Sequence, residues 1–200
     1  MSSSTASEHL EILVNAGLVD RAQNGREVAV SLAGPEAASL VERLVSFSDV
    51  STQHAIDCSD VVQSKFRPNS KMARIALART CYDHLAGRLG VAFTDFLLTS
   101  QLVDTNLAPT TQGHDWFSDV LDVNIRTLIS ESERASSRPL VRSCIDWTER
   151  KPHLAGRLGA AIATSFTLNG WVTKHPDDRS LRITPAGRIM LEAHGIHLLA

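Results

Sequence analysis

What the chain lacks narrows its class first. No apolar run approaches the roughly 20 residues that cross a bilayer, and Met1 to Ser7 has neither the basic start nor the apolar stretch of a secretory signal. No membrane partner is therefore expected, and a cytoplasmic location is the default. Prolines number only seven among 200 residues, against 43% hydrophobic and 21% charged residues, which excludes a fibre or a long disordered tail. Three cysteines, Cys58, Cys81 and Cys144, are an odd number without close spacing. A disulfide framework is not expected, and reduced thiols or metal ligation remain. Aromatic residues make up 5%, too few for a platform on which single-stranded nucleic acid stacks. A serine nucleophile elbow, a phosphate loop and a dinucleotide fingerprint are all absent, and Asp83-His84 has no nucleophile to serve. An enzyme is not expected.

The net charge of -2 conceals a gradient. Residues 1–44 carry a net -3 and residues 134–191 a net +6, so the basic surface is C-terminal. Within it Arg150-Lys151 reads as a solvated face or as a phosphate contact.

What is present begins with Ser2-Ser3-Ser4-Thr5, which offers helix N-caps ahead of Leu10, Leu13 and Val14 at helical spacing. A short amphipathic helix is predicted from Ser3 or Ser4, stopped at Gly17. Leu18-Val19-Asp20-Arg21 and Val28-Ala29-Val30-Ser31-Leu32 flank Asn24-Gly25 and read as a β-hairpin about an Asn-Gly turn. Pro35-Glu36 opens a further helix to about Val45, with Ala38, Val41, Leu44 and Val45 set to pack on the hairpin or on a partner. Helix, glycine stop and hairpin with a basic tip form the second half of a winged helix-turn-helix.

Over about 30 residues this segment resembles the recognition helix and wing of ArsR-type transcriptional regulators: Ser3-Ser4-Thr5-Ala6-Ser7-Glu8-His9-Leu10, then Leu13, Ala16-Gly17-Leu18-Val19, Gly25-Arg26 and Ser31-Leu32. The resemblance implies a dimeric repressor that binds an imperfect palindrome in a double-stranded DNA operator as a homodimer. It also implies that Ser3, Ser4, Thr5, Ser7, Glu8 and His9 enter the major groove, while Arg21 and Arg26 on the wing meet backbone phosphates. Helix capping is the competing reading for Thr5 and Ser7. A recognition helix of roughly 12 residues is marginal in water without tertiary burial, and the resemblance places further helices before it, the dimerisation helix included. Met1 stands where the resemblance predicts the valine of Gly-Val-Ser, so the expected start lies upstream; a natural short form is the alternative.

The remainder contains an internal repeat. His84-Leu85-Ala86-Gly87-Arg88-Leu89-Gly90 recurs as His153-Leu154-Ala155-Gly156-Arg157-Leu158-Gly159. Apolar helical runs follow in both, Val91 to Ser100 and Ala160 to Asn169, then Leu102-Val103 and Gly170-Trp171-Val172. A hairpin-sized gap precedes Thr110-Thr111-Gln112-Gly113 and Thr184-Pro185-Ala186-Gly187, each a helix start. Helix, wing and helix are expected twice, with the second gap longer and turning at Pro176-Asp177-Asp178. Ahead of the repeat, Asp57 to Thr80 reads as helical around a junction at Pro68-Asn69-Ser70. The predicted class is mainly α with small β-hairpin wings, an α+β fold. Residues 1–45 hold the recognition helix, wing and following helix, residues 46–70 a helical connector, and residues 71–130 and 131–200 two winged-helix-like repeats.

The repeats also align chemistry. Cys81 and His84 lie three apart, and Cys144 leads the equivalent segment with Asp146 and His153 nearby. Because Cys81-Tyr82-Asp83-His84 and Cys144-Ile145-Asp146-Trp147 share Cys-x-Asp, symmetry can bring thiolates, imidazole and carboxylates to one interface. Such a set suits Zn²⁺ or another thiophilic ion. The sequence requires no cofactor, and Cys-x-x-Cys is absent. Three readings stay open: Cys81, His84, Cys144 and His153 as metal ligands, redox sensing by Cys81 or Cys144, and burial of the thiols as small hydrophobes. Residues 1–44 have no cysteine, so the family's metal-binding cysteine box beside the recognition helix is missing. The segments from Ala78 to Gly87 and from Cys144 to Gly156 resemble the C-terminal region of long bacterial ArsR-like regulators. Trp147 and Trp171 read as core or as the lining of a ligand pocket. The expected function is operator binding modulated by an unidentified signal. The alternative is a ligand- or partner-binding scaffold, sensing metal or thiol redox state, without autonomous DNA binding.

Overall fold

The apolar spacing of the first segment produces a helix and a hairpin. The computed structural model of the chain describes residues 3–24, 27–34, 37, 40, 41, 44, 70–135, 139–176 and 178–198. Helix α1 spans Ser3–Asn15, and β1 (Val19–Asn24) pairs antiparallel with β2 (Glu27–Leu32). Leu10 and Val14, one turn apart, are half-buried where α1 packs on β1, whereas Ser7, Glu8, Glu11 and Ile12 are exposed. Gly17 ends the helix at a φ of 68°, a left-handed conformation that glycine adopts without a Cβ clash. Directly opposed strand residues share a face, so Arg21↔Val30 and Val19↔Leu32 set Arg21, Val28, Val30 and Leu32 on one side of the hairpin. The pairing runs on to Asn24↔Glu27, so Asn24 belongs to the strand rather than to the expected turn. Residues 25 and 26, most of the helix expected from Pro35 to Val45 and the connector as far as residue 69 lie outside the described residues. Ala37, Leu40, Val41 and Leu44 are helical.

Contacts divide the chain into two compact units, Met1–Ala55 and Ile56–Ala200. The described part of the second unit begins with α2 (Lys71–Leu77), whose N-cap Ser70 Oγ accepts from the Ala73 amide at 3.1 Å. The helix expected to reach Thr80 instead stops at Ala78, and Arg79–Cys81 form β3. The reason is non-local: β3 pairs with β4 (His84–Ala86), and the Thr80 amide donates to Arg179 O at 3.1 Å on its other side. Helix α3 (Gly87–Thr99) follows, then α4 (Thr111–Leu121) and α5 (Ile125–Ala135). A second series begins with β5 (Arg142–Ile145) paired to β6 (Pro152–Ala155) and continues through α6 (Gly156–Leu168), β7 (Val172–Lys174), β8 (Leu181–Ile183) and α7 (Pro185–Ala193). Besides the helical Ala37, Leu40, Val41 and Leu44, the described residues form seven helices and four two-stranded antiparallel sheets, an α+β fold of winged-helix-like parts. No helix among them is long and apolar enough to cross a membrane.

The two series close with the same cap. Thr110 and Thr184 each accept from the amide of a glycine three residues on, Gly113 and Gly187, at 3.0 Å. Between helix and cap they differ. The second series carries the hairpin β7–β8, but the first has only a single bridge, Val103↔Pro109, so the wing expected there is not formed. Its shorter loop is closed instead by Asp104 Oδ1, which accepts from the Asn106 and Ala108 amides at 2.8 Å each.

The series interlock, with α3 packed on β6 and α6 packed on β4. Leu89, Phe93 and Leu97 of α3 join Leu158, Ile162 and Phe166 of α6 in one core with Phe117 and Leu121. Phe93 meets Phe166 edge-on at 5.0 Å between ring centroids. Each such side chain contributes about 1.5–3 kcal/mol on full burial. In the first unit, Ala37 is the only buried hydrophobic residue among those described.

Candidate functional site

Each of the hairpins β3–β4 and β5–β6 opposes a cysteine to a histidine. A two-residue turn, Tyr82-Asp83, sets Cys81 across from His84; a longer loop sets Cys144 across from His153. Opposed residues share a face, so each hairpin presents one thiol and one imidazole together. Because β4 lies against β6, these faces meet. The ligand atoms of Cys81, His84, Cys144 and His153 all lie within 4.8 Å of one another, and all four residues are buried, His153 completely. His84 Nε2 and His153 Nε2 are 3.2 Å apart, in rings stacked at 5.1 Å. Behind the first ring, Asp83 Oδ1 stands 3.5 Å from His84 Nδ1. His153 Nδ1 is buried and has no hydrogen-bond partner among the described residues.

The seven-residue sequence that occurs twice has a packing cause. Gly87 and Gly156 open α3 and α6 at φ 74° and 84°, and an added Cβ would meet Ala76 O at 2.7 Å and Leu140 O at 2.8 Å. One turn on, Gly90 and Gly159 lie over the carbonyls of Leu85 and Leu154 and face the histidine of the other series. A Cβ at Gly159 would sit 3.1 Å from His84 Cβ, and one at Gly90 3.8 Å from His153 Cδ2. The motif therefore supplies an imidazole from its strand and, from its helix, the space that admits the other imidazole.

Asp146, aligned with Asp83 in the sequence, does not join the cluster. Its Oδ2 accepts from Arg79 Nη2 at 2.7 Å and from the Gly87 amide at 2.6 Å. Its Oδ1 accepts from Thr148 N at 2.8 Å, Thr148 Oγ1 at 2.6 Å and Glu149 N at 3.0 Å. Arg79 also donates from Nη1 to Ile75 O and Thr148 Oγ1, and its guanidinium lies 5.0 Å from the centre of the Trp147 ring. Both members of this ion pair are fully buried. Burial pushes the Asp146 carboxyl up, but the guanidinium and the four hydrogen bonds from Thr148, Gly87 and Glu149 outweigh it and hold the pKa below the ordinary carboxylate value. Burial lowers Arg79 against the pull of Asp146. Matching Cys-x-Asp by letters fails because the loops differ in length: Asp83 sits in a tight turn, and Asp146 organises a longer one. Sequence reasoning missed Arg79 as a buried partner of Asp146. Its signal was a lone cation in Ile75-Ala76-Leu77-Ala78-Arg79-Thr80-Cys81, where every neighbour is apolar or small.

The residues expected on DNA fall in the first unit. Ser3 and Ser4 begin α1, Thr5 is half-buried, Ser7, Glu8 and His9 are exposed, Arg21 is exposed on β1, and Arg26 lies outside the described residues. In the second unit Arg150 and Lys151 are exposed. Both tryptophans are half-buried: Trp171 packs edge-on against Phe166 at 5.2 Å at the margin of the core, and Trp147 backs Arg79. Neither lines the open cleft of about 390 Å³ between the α4–α5 corner and α6, which is walled by Leu121, Asn124, Thr127, Leu128, Ser165 and Asn169 among others.

The chain is 33% identical over 193 residues to the HTH-type transcriptional regulator YdfF of Bacillus subtilis (strain 168), across 95% of this chain and 78% of that protein. That coverage extends over both units. No family model matches the chain, and no solved structure matches it.

Proposed function

The chain belongs to the HTH-type transcriptional regulators, and from that premise we propose that it is a DNA-binding regulator of the ArsR type, a dimeric repressor whose hold on a double-stranded operator is modulated by a signal received in its second unit. The observation that carries this reading is α1, a helix of 13 residues that exposes Ser7, Glu8 and His9 in its first turns and packs on a hairpin bearing an exposed Arg21. The major groove of B-DNA admits one such helix. Ser3, Ser4, Thr5, Ser7, Glu8 and His9 meet base edges, and Arg21 and Arg26 meet phosphates. In this reading residues 1–45 read DNA, residues 46–70 connect, and residues 71–130 and 131–200 are the duplicated halves of the receiver. Leu40, Val41 and Leu44 are 43–59% exposed, an apolar face that a second copy would cover. The cytoplasm is where such a regulator meets its operator.

The test is a fluorescence anisotropy titration with the protein's own upstream DNA at several salt concentrations, using this chain and a form extended into the preceding reading frame. Sequence-selective binding that weakens linearly in log salt is expected. His9→Ala should cost about 1–3 kcal/mol and relax selectivity at one position, whereas Arg26→Ala should weaken binding to all sequences alike and lower the salt slope by about one. Unchanged affinity in both variants removes the groove assignment. Binding by neither form transfers the function to a ligand- or partner-binding scaffold without autonomous DNA binding.

A further inference from the structure

We infer that Cys81, His84, Cys144 and His153 form a closed tetrahedral site for one thiophilic divalent ion, Zn²⁺ by the chemistry of the donor set, held between hairpins β3–β4 and β5–β6. The site stands independently of the DNA reading, since every ligand lies in the second unit.

The donors select the ion. Two thiols and two imidazoles are the ligands of structural zinc, whereas calcium and magnesium require oxygen. Both nearby carboxylates are engaged elsewhere, Asp146 with Arg79 and Asp83 behind His84. The size fits as well. With Zn–N at about 2.0–2.1 Å and Zn–S at about 2.3 Å, the edges of the tetrahedron are about 3.3 Å between nitrogens and about 3.8 Å between sulfurs. The two Nε2 atoms are already 3.2 Å apart, and no donor pair exceeds 4.8 Å.

Charge favours the same ion, because two thiolates cancel its two positive charges and the buried site stays neutral. Without a cation between them, the facing Nε2 atoms can satisfy one another only through one shared proton. With it, both lone pairs are used and each ring carries its proton on Nδ1. Asp83 Oδ1, 3.5 Å from His84 Nδ1, is placed to accept that proton's hydrogen bond and orient the ligand. All four positions come from protein, so the site holds structure rather than activating water. It staples two series whose histidines are 69 residues apart. Standard zinc spacing is absent because each Cys–His pair is set by cross-strand register rather than by a short loop.

Cobalt reports the geometry directly. The full chain, with its thiols kept reduced and stripped of metal, should take up one equivalent of Co²⁺, giving the visible bands of tetrahedral cobalt and a thiolate-to-cobalt charge-transfer band, and Zn²⁺ should displace it one for one. Cys81→Ala with Cys144→Ala places methyl groups beside Ala86 and Ala155; it should retain the far-UV circular dichroism of the parent and lose both sets of bands. Asp83→Asn should keep the bands and weaken uptake about 10- to 100-fold. Should the double variant fail to fold, Cys144→Ser decides, with the charge-transfer band expected to weaken because one of the two thiolates is lost. No uptake, an octahedral cobalt spectrum, or bands that survive loss of the cysteines would overturn the assignment.

Discussion

In the first unit Ile12, Val28, Val30 and Leu44 remain 42–64% exposed, whereas in the second Leu89, Leu97, Phe117 and Leu158 have no exposed surface. Both units are built from short helices and two-stranded hairpins, so the difference lies not in the parts but in how many of them meet. Among the described residues of the first unit, α1 packs on β1, and Val28, Val30 and Leu32 of the hairpin keep 39–49% of their surface exposed. Two interlocked series cover one another, because the helix of each closes over the hairpin of the other. Beside that core, buried charge is paired: Arg79 and Asp146 are both without exposed side-chain surface, and in the inferred centre two thiolates would balance one divalent ion. The first unit carries its polar residues outward, where water or a nucleic acid meets them.

The contrast is most easily broken at the buried ion pair. Asp146→Ala should cost about 3–5 kcal/mol in urea denaturation, since it strands a buried guanidinium, whereas Arg79→Met combined with Asp146→Leu should cost far less. Equal losses in the single and double variants would mean that packing, not the charge, is being measured. Phe117→Ala should cost a similar 3–5 kcal/mol by leaving a cavity. Ile12→Ala in the first unit should shift stability by no more than about 0.5 kcal/mol, and a large loss there would show that Ile12 is covered in solution.

Glycines sharpen the comparison at a smaller scale. A Cβ at Gly90 would run into the Leu85 carbonyl, but one at Gly17 would meet nothing within 4 Å. Gly90→Ala should therefore cost about 1–3 kcal/mol through displaced backbone and disturb cobalt uptake through His153. Gly17→Ala should cost only the left-handed backbone penalty, about 1 kcal/mol. Calorimetric melts of the two variants make the comparison.

The smallest effect is acid-dependent. Ser180, whose amide donates to Oδ1 at 2.8 Å, together with Arg74 at 3.2 Å and His175, holds the Asp178 carboxyl at about 2, below its ordinary 3.8. A depressed carboxylate stabilises the fold fully above its unfolded pKa and loses that contribution as pH falls through its folded one. Urea midpoints should thus decline between about pH 4 and about pH 2, less steeply in Asp178→Asn. An unchanged slope in that variant would assign the acid sensitivity to Asp146, whose carboxyl is depressed in the same direction.

Much of the architecture was legible because its signals are local. The serine-rich start and apolar spacing mark α1, Gly17 stops it, and alternating Val28, Val30 and Leu32 mark β2. The threonine caps at Thr110 and Thr184 were visible as two helix starts. The first wing was not, because five residues decide whether a gap forms a hairpin or a loop closed by Asp104. Nor was β3 legible, since Arg79 and Thr80 have a helical pattern yet hydrogen-bond to strands distant in sequence. Of the candidate ligands, all four residue names could be read in advance; Asp146 could not be separated from them, because that depends on loop length rather than on the letters beside each cysteine.

By itself, the sequence determined where the capped helices begin, which faces are apolar and which seven residues recur, because caps, turn residues and periodicity act over a few positions. Only the tertiary structure decided that Cys81 and Cys144 share a buried space with His84 and His153 while Asp146 turns to Arg79. Register across each hairpin and the crossing of α3 and α6 over one another's strands set those neighbours. Contacts between residues 67 and 69 positions apart have no local signature to read.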